Sequence, residues 1–105
     1  MAQFMVYQNK NPLSKKSLPL LLEIQSNLLR DLITTVVVPL APAIGNEARM
    51  LRQLMPSLDI DGVKYLMLTP QLAGVARKDL GKPVTSAETY RAEINHAIDF
   101  LLSAI

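Results

Sequence analysis

The stretch SLDIDGVKYLML, residues 57–68, says most about the fold. Asp61 and Gly62 stand near its centre, between two segments in which apolar side chains alternate. A two-residue hairpin turn needs positive φ angles at both central positions, and Asp-Gly is one of the pairs that adopt them most readily. The stretch therefore predicts an antiparallel hairpin with strands at residues 57–60 and 63–68.

Four further segments have strand character. Alternating apolar residues predict strands at 3–8 and 18–25, and the β-branched segment TVVVPL predicts a largely buried strand at 35–40. Between the first two strands, the polar residues 9–17 predict an exposed loop. Proline and glycine interrupt the segment from Thr69 to Pro83, so we expect only a short irregular strand there, at 72–77.

The most regular element is a helix predicted at residues 86–103. Thr85 and Glu88 have the spacing of a capping box. Apolar residues then recur at the spacing of one helical face, at Ile94, Ala97, Ile98, Leu101, Leu102 and Ile105. The helix ends on apolar residues, so we expect its last turn to dock on a partner. A shorter helix is expected after Asn46, a good capping residue, and the fold class is therefore β-rich α+β.

Size and composition limit the class of protein. A chain of 105 residues is expected to form one domain, over residues 1–105, with a modest core. Half of its residues are apolar and its mean hydropathy is +0.21, which is high for so small a domain. This indicates that a partner or a second copy covers apolar surface, and a homodimer is the simplest expectation.

The sequence also favours a cytoplasmic protein with no membrane segment. Its first residues show neither a basic start nor a continuous apolar run. Every apolar stretch is interrupted well short of the ~18 residues that a membrane span requires. There is no cysteine, so disulfides and thiolate metal sites are excluded.

The charge is nearly balanced overall but clustered locally. A net charge of +2, from 11 basic and nine acidic residues, is too small to favour direct binding to nucleic acid. Basic residues cluster at Lys10, Lys15 and Lys16, at Arg49 and Arg52, and at Arg77, Lys78 and Lys82. Such clusters can hold an acidic segment of a partner, and they can also be solvated loops.

The sequence contains no recognisable catalytic or metal-binding pattern. His96 is the only histidine and falls on the polar face of the predicted helix. Asp59 and Asp61 flank a single residue, but no calcium-binding loop follows them. The four glycines form no phosphate-binding motif. We therefore expect a binding protein without metal or cofactor, and not an enzyme.

Five segments, taken in order, resemble the CcdB family of toxins from bacterial toxin–antitoxin modules. The resemblance runs from Gln3 to Ile105, and it rests on the order and spacing of the segments more than on any one of them. In this chain they are Gln3-Phe4 with Val6-Tyr7, Ile24-Gln25-Ser26 with Leu28-Leu29, Val37-Val38-Pro39-Leu40, Met67-Leu68-Thr69, and Ile94 with Ala97-Ile98-Asp99-Phe100.

The resemblance implies an SH3-like barrel of about five to seven antiparallel strands with a C-terminal helix, assembled as a homodimer. Proteins of this family bind the GyrA subunit of DNA gyrase and trap the complex of gyrase with cleaved DNA. A CcdA-like antitoxin neutralises the toxin, and the two together repress their operon. The implied contact with DNA is thus indirect, through the antitoxin complex.

The resemblance also implies which residues bind each partner. The gyrase-binding surface would comprise Leu28, Leu29, Asp99, Leu102, Ser103, Ala104 and Ile105. The antitoxin-binding candidates are the basic residues Lys10, Lys15, Lys16, Arg49, Arg52 and Arg77. Ser103-Ala104-Ile105 stands where the best-known members of the family have Trp-Gly-Ile, so the aromatic anchor of those toxins is replaced here. Each leucine taken alone could equally belong to the core.

Two alternative functions remain open on the same fold. MazF and Kid toxins share this barrel and cleave mRNA, which requires a general base and a cationic group that converge on a groove. The sequence shows no such pairing of acids and arginines. The other alternative is a non-toxic homologue that retains only antitoxin binding.

Overall fold

The computed structural model describes residues 3–46 and 51–103. Across those ranges, seven strands form one antiparallel sheet: β1 (Met5–Asn9), β2 (Leu20–Glu23), β3 (Thr34–Pro42), β4 (Ser57–Ile60), β5 (Val63–Met67), β6 (Ala73–Ala76) and β7 (Leu80–Ser86). One helix, α1 (Arg91–Ser103), follows the last strand. This confirms the predicted fold class, a curled sheet of seven antiparallel strands with a C-terminal helix.

The predicted hairpin is confirmed at its turn. Ile60 pairs with Val63, and the φ angles of Asp61 and Gly62 are 52° and 86°. The backbone N–H of Gly62 donates to a carboxylate oxygen of Asp59 at 2.9 Å. Asp59 therefore stabilises the turn through a hydrogen bond from its side chain to the backbone three residues later.

Strand β3 organises the sheet. One of its edges pairs with β2, and the opposite edge pairs with two strands in succession. Residues 34–37 pair with β6, whereas residues 40–42 pair with β5. The complete strand order is β4-β5-β3-β2-β1-β7, with β6 beside β3. The last strand, β7, thus returns to pair with the first.

The main core lies between one face of this sheet and α1. Ile94 and Ala97 of the helix are fully buried against the strands. The sheet contributes larger apolar side chains, which include Val6, Leu22, Val38, Leu40, Leu58 and Met67. Each fully buried large apolar side chain stabilises the fold by roughly 1.5–3 kcal/mol relative to exposure. Tyr90 ties the start of the helix to the hairpin, because its hydroxyl accepts a bond from the Asp59 N–H at 3.1 Å.

Strand β7 was not predicted, since no strand was expected after residue 77. Leu80–Ser86 pairs with β1 despite containing Gly81 and Pro83. The pairing is irregular, with register shifts on both sides of Tyr7. Since β7 lies at the edge of the sheet, a proline without an N–H is tolerated there. Position 81 requires glycine because the backbone of Gln8 is too close for a side chain: a Cβ there would lie 2.6 Å from the Gln8 carbonyl oxygen.

The start of the C-terminal helix was also predicted wrongly. Thr85 lies within β7, so it forms no capping box with Glu88. The hydroxyl of Ser86 accepts the Glu88 N–H instead, at 3.1 Å. A 3-10 turn at Glu88–Tyr90 then precedes α1, which begins at Arg91.

The short helix expected after Asn46 is not formed in the part of it that the structure describes. Residues 47–50 lie outside the described residues, and Leu51–Met55 form a turn. The N–H groups of Leu54 and Met55 both donate to the Leu51 carbonyl, at 2.9 and 2.6 Å. No helix in the described ranges is long and apolar enough to cross a membrane.

Candidate partner-binding surfaces

The loop between β2 and β3 exposes a cluster of aliphatic side chains. It begins with a 3-10 turn at Asn27–Leu29, and we call residues 27–33 the aliphatic loop. Leu28 is 92% exposed and Ile33 is 85% exposed, while Leu29 and Leu32 are about half exposed. Four exposed aliphatic residues within seven positions make an apolar surface of the kind that marks a protein-binding site.

Side-chain hydrogen bonds hold this loop in place. Ser26 Oγ accepts the Leu28 N–H at 3.1 Å, which caps the 3-10 turn. Gln25 Nε2 donates to the Thr34 carbonyl at 3.2 Å, across the base of the loop. Arg77 Nε donates to the Leu32 carbonyl at 2.8 Å. A loop fixed in this way loses less conformational entropy when a partner binds.

The end of α1 exposes a second apolar surface. Ile98 and Leu101 are half-buried, but Leu102 is 71% exposed, and Asp99 and Ser103 are exposed as well. Ala104 and Ile105, the remaining predicted gyrase contacts, lie outside the described residues. Phe100 is also exposed, beside these positions, and the helical pattern of the sequence did not single it out. The helix therefore leaves the core over its last turn.

The two apolar surfaces are carried by different parts of the chain. The helix α1 lies beside the 3-10 turn Thr69–Gln71 and buries Ile94 and Ala97 against the strands. The aliphatic loop is fastened instead to the start of the chain, where the Gln3 N–H donates to Asn27 Oδ1 at 2.7 Å. The predicted gyrase contacts that the structure describes therefore lie on two elements, the aliphatic loop and the end of α1.

A buried polar cluster lies on the sheet face opposite the main core, and sequence analysis did not find it. Glu23 is 2% exposed, and its carboxylate accepts bonds from Thr35 Oγ1 at 2.6 Å, Arg77 Nη1 at 2.9 Å and Tyr7 Oη at 3.3 Å. The Arg77 side chain is 16% exposed. The sequence contained one signal of this cluster, the charged residue that ends the apolar strand LLLE. A carboxylate buried in such a strand requires a partner of opposite charge, so a basic residue could have been expected nearby.

The predicted antitoxin contacts separate into two groups. Lys10, Lys15 and Lys16 are exposed on the first loop, and Lys10 Nζ donates to the Lys78 carbonyl at 3.0 Å, next to Arg77. Arg77 is therefore close to Lys10, but its guanidinium is held in the pair with Glu23.

The second group of predicted antitoxin contacts adjoins the helix. Arg52 borders a shallow cavity of about 400 Å³ together with Glu93 and His96. Arg49 lies outside the described residues. Over residues 3–46 and 51–103, no three potential metal ligands are grouped closely enough to hold an ion.

Comparison with known proteins is consistent with this architecture. One solved structure similar to the chain is titled "Endoribonuclease in complex with its cognate antitoxin from Mycobacterial species". Its TM-score is 0.76 at 15% identity, and the alignment covers 100% of this chain and 97% of that one. At such low identity the likeness shows a shared fold. A search of the curated proteins gives no match.

The family comparison covers nearly the whole sequence. The family model described as "CcdB protein" matches residues 3–104. This agrees with the segments from Gln3-Phe4 to Ile98-Asp99-Phe100 through which the sequence resembles that family. The chain therefore belongs to the CcdB family, the toxins of toxin–antitoxin systems.

Proposed function

We propose that this chain is a homodimeric toxin that binds the GyrA subunit of DNA gyrase and traps the complex of gyrase with cleaved DNA. A CcdA-like antitoxin neutralises it in the cytoplasm, and the toxin reaches DNA only indirectly, through the antitoxin complex that regulates the operon. The proposal extends the family assignment to a specific target.

The observation that carries the proposal is the exposure of apolar side chains on fixed backbone. Leu28 and Leu102 are large, aliphatic and mostly exposed, and one is on a hydrogen-bonded loop and the other on a helix. Their exposure favours a contact role over a place in the core. In a homodimer each surface occurs twice about the two-fold axis, which suits a symmetric target such as the GyrA dimer.

The buried cluster favours binding over RNA cleavage. Glu23 and Arg77 combine an acid with a cationic group, as a ribonuclease site would require. However, Glu23 is 2% exposed and Arg77 neutralises it, so a ribose hydroxyl would not reach the carboxylate. The pair is better suited to stabilising the fold.

The decisive experiment is a gyrase cleavage assay. Supercoiled plasmid, gyrase and ATP are incubated with the protein, and double-strand breaks are counted after detergent and protease treatment. We expect breaks with the wild-type chain. Leu28→Glu and Leu102→Glu should each raise the half-maximal concentration at least about thirtyfold, the size of a hot-spot loss of ~2 kcal/mol.

The matched control is Ile44→Glu, which places the same charge at an exposed aliphatic residue elsewhere, 88% exposed. It should behave as wild type. If no cleavage complex forms at high protein concentration, the gyrase target is wrong. If Ile44→Glu raises the half-maximal concentration as much as Leu28→Glu does, gyrase remains the target but the assignment of the binding surface is wrong.

A further inference from the structure

The two ends of the aliphatic loop are held by different parts of the protein. At its start, Ser26 Oγ accepts the Leu28 N–H at 3.1 Å, a bond between near neighbours. At its end, Arg77 Nε donates to the Leu32 carbonyl at 2.8 Å, and the Arg77 N–H donates to the Ile33 carbonyl at 2.9 Å. Arg77 lies 45 positions after Leu32 in the chain. Both carbonyls at the end of the loop are therefore held by one distant residue.

The direction of the Arg77 side chain is set by a buried carboxylate. Nη1 donates to Glu23 Oε2 at 2.9 Å, and Glu23 is 2% exposed. The same carboxylate oxygen accepts a bond from Thr35 Oγ1 at 2.6 Å. A guanidinium group is planar and its N–H donors point in fixed directions, so the bond to Glu23 also determines where Nε points. The end of the loop is thus positioned by a group buried in the sheet.

This anchored end of the loop presents Ile33 to solvent, with 85% of its side chain exposed. Ile33 is not among the gyrase contacts that the family resemblance implies, which in this loop are Leu28 and Leu29. An exposed aliphatic side chain on ordered backbone can be buried by a partner at a lower entropic cost than one on a mobile loop. Ile33 therefore has the properties of a contact residue.

Ile33 is also close enough to Leu28 for one partner to cover both. The two residues are five positions apart, so their backbones are separated by at most about 18 Å of extended chain. A standard protein interface covers about 800 Å² on each partner, which is a patch roughly 30 Å across. A partner that binds Leu28 with an interface of this size can reach Ile33 without a second binding site.

We propose that Ile33 extends the gyrase-binding surface and that Arg77 is the residue that positions it. Both roles rest on the proposed gyrase function and add two residues to it. The Arg77 side chain is only 16% exposed and is bonded to Glu23 and Leu32. Its effect on gyrase binding therefore passes through the loop.

The contact role is tested with Ile33→Ala in the gyrase cleavage assay. Loss of the buried aliphatic contact should raise the half-maximal concentration at least about tenfold. The matched control is Ile44→Ala, the same change at an isoleucine that is 88% exposed elsewhere, and it should behave as wild type. An unchanged half-maximal concentration for Ile33→Ala would overturn the contact role.

The positioning role is tested with Arg77→Lys. Lysine keeps a positive charge for Glu23 but has no Nε, so the bond to the Leu32 carbonyl is lost. We expect the half-maximal concentration to rise about tenfold. If Arg77 acts through Ile33, the double variant with Ile33→Ala should be within about threefold of Ile33→Ala alone. Independent effects would multiply to about a hundredfold and would overturn the positioning role.

Gly81→Ala controls for a general loss of stability, because it strains β7 without touching the aliphatic loop. It should leave the half-maximal concentration unchanged. If Gly81→Ala weakens cleavage as much as Arg77→Lys does, the effect of Arg77 is only structural and the positioning role is wrong.

Amide hydrogen exchange tests the order of the loop without gyrase. The Leu32 N–H donates to the Leu29 carbonyl at 3.1 Å, and in Arg77→Lys it should exchange at least about tenfold faster than in the wild type. The Leu28 N–H, which is capped by Ser26, is the internal control and should be unchanged. Equal exchange of the Leu32 N–H in both proteins would overturn the positioning role. An unprotected Leu32 N–H in the wild type would do so even if Arg77→Lys does not fold.

These measurements separate failure of the two roles from failure of the gyrase target. If the wild type forms no cleavage complex, the target is wrong and the contact role of Ile33 fails with it, while hydrogen exchange still decides whether Arg77 orders the loop. If the wild type traps cleaved DNA and Ile33→Ala does so equally well, gyrase remains the target and Ile33 lies outside the binding surface.

Discussion

The buried pair of Glu23 and Arg77 allows a quantitative prediction about stability. Arg77→Met keeps a long unbranched side chain but removes the charge. It would leave a carboxylate that is 2% exposed with only the hydroxyls of Thr35 and Tyr7 as partners. Breaking a buried ion pair by removing one member costs about 3–5 kcal/mol. That is a large part of the ~5–15 kcal/mol that stabilises a typical domain.

Glu23→Gln should be the milder change. The glutamine amide oxygen can still accept bonds from Thr35 and Arg77, and the Arg77 side chain, at 16% exposure, can partly reach solvent. We expect a loss of about 1.5–3 kcal/mol, the range for a hydrogen bond to a charged group. The double variant has no buried charge, so it should lose about 1–3 kcal/mol less than the sum of the two single variants.

Urea unfolding at a single fixed protein concentration measures these differences, since oligomerisation makes stability depend on concentration. Additive effects within about 0.5 kcal/mol would refute the reasoning, because they would mean that the two side chains do not interact energetically. A stable Arg77→Met variant would refute it equally, since the carboxylate would then have found another partner or water.

Two further predictions concern the sheet and the chemistry. Gly81→Ala should destabilise the fold by about 1–3 kcal/mol in urea unfolding, because its Cβ would lie 2.6 Å from the Gln8 carbonyl oxygen. Gly74→Ala, where no atom lies within 4 Å, is the control and should change stability by under ~1 kcal/mol. The purified protein should leave single-stranded RNA intact, and sequence-dependent cleavage that persists through further purification and is lost in Glu23→Gln would contradict the binding role.

The hairpin was predictable because its cause is local. Asp61 and Gly62 adopt positive φ angles more readily than most residue pairs, and the alternating residues on either side fix which face is buried. The burial of Ile94 and Ala97 on α1 was predictable for the same reason, as helical spacing alone determines the face.

Strand β7 was not predictable because its pairing is decided by a distant segment. Gly81 and Pro83 are signals against a strand in isolation. They are accommodated because β7 pairs with β1 through register shifts that no local pattern encodes. Phe4 shows the same dependence: its φ of 71° is unusual for a bulky residue, and backbone bonds at 2.7 Å to Glu23 and Ala87 hold it there.

In the candidate site, too, the features set by local sequence were predictable and those set by distant residues were not. Exposure of Leu28 could be proposed from the family segment, but the bonds that fix its loop could not, since Arg77 reaches it from 45 positions away in the chain. Sequence analysis placed Arg77 among the antitoxin contacts because it clusters with Lys78 and Lys82, but a basic cluster does not show whether each of its members is exposed. In the structure Arg77 is largely buried because its guanidinium pairs with the buried carboxylate of Glu23.

Arg77 therefore holds the end of the aliphatic loop in place, although it lies outside that loop. Its backbone N–H bonds Ile33, its Nε bonds Leu32, and its Nη1 bonds Glu23. The first two bonds fix the end of the aliphatic loop. A surface that is ordered before contact binds its partner more tightly, because ordering it during binding would weaken affinity. The ion pair with Glu23 holds the same guanidinium whose Nε bonds Leu32, so it contributes to the order of the aliphatic loop.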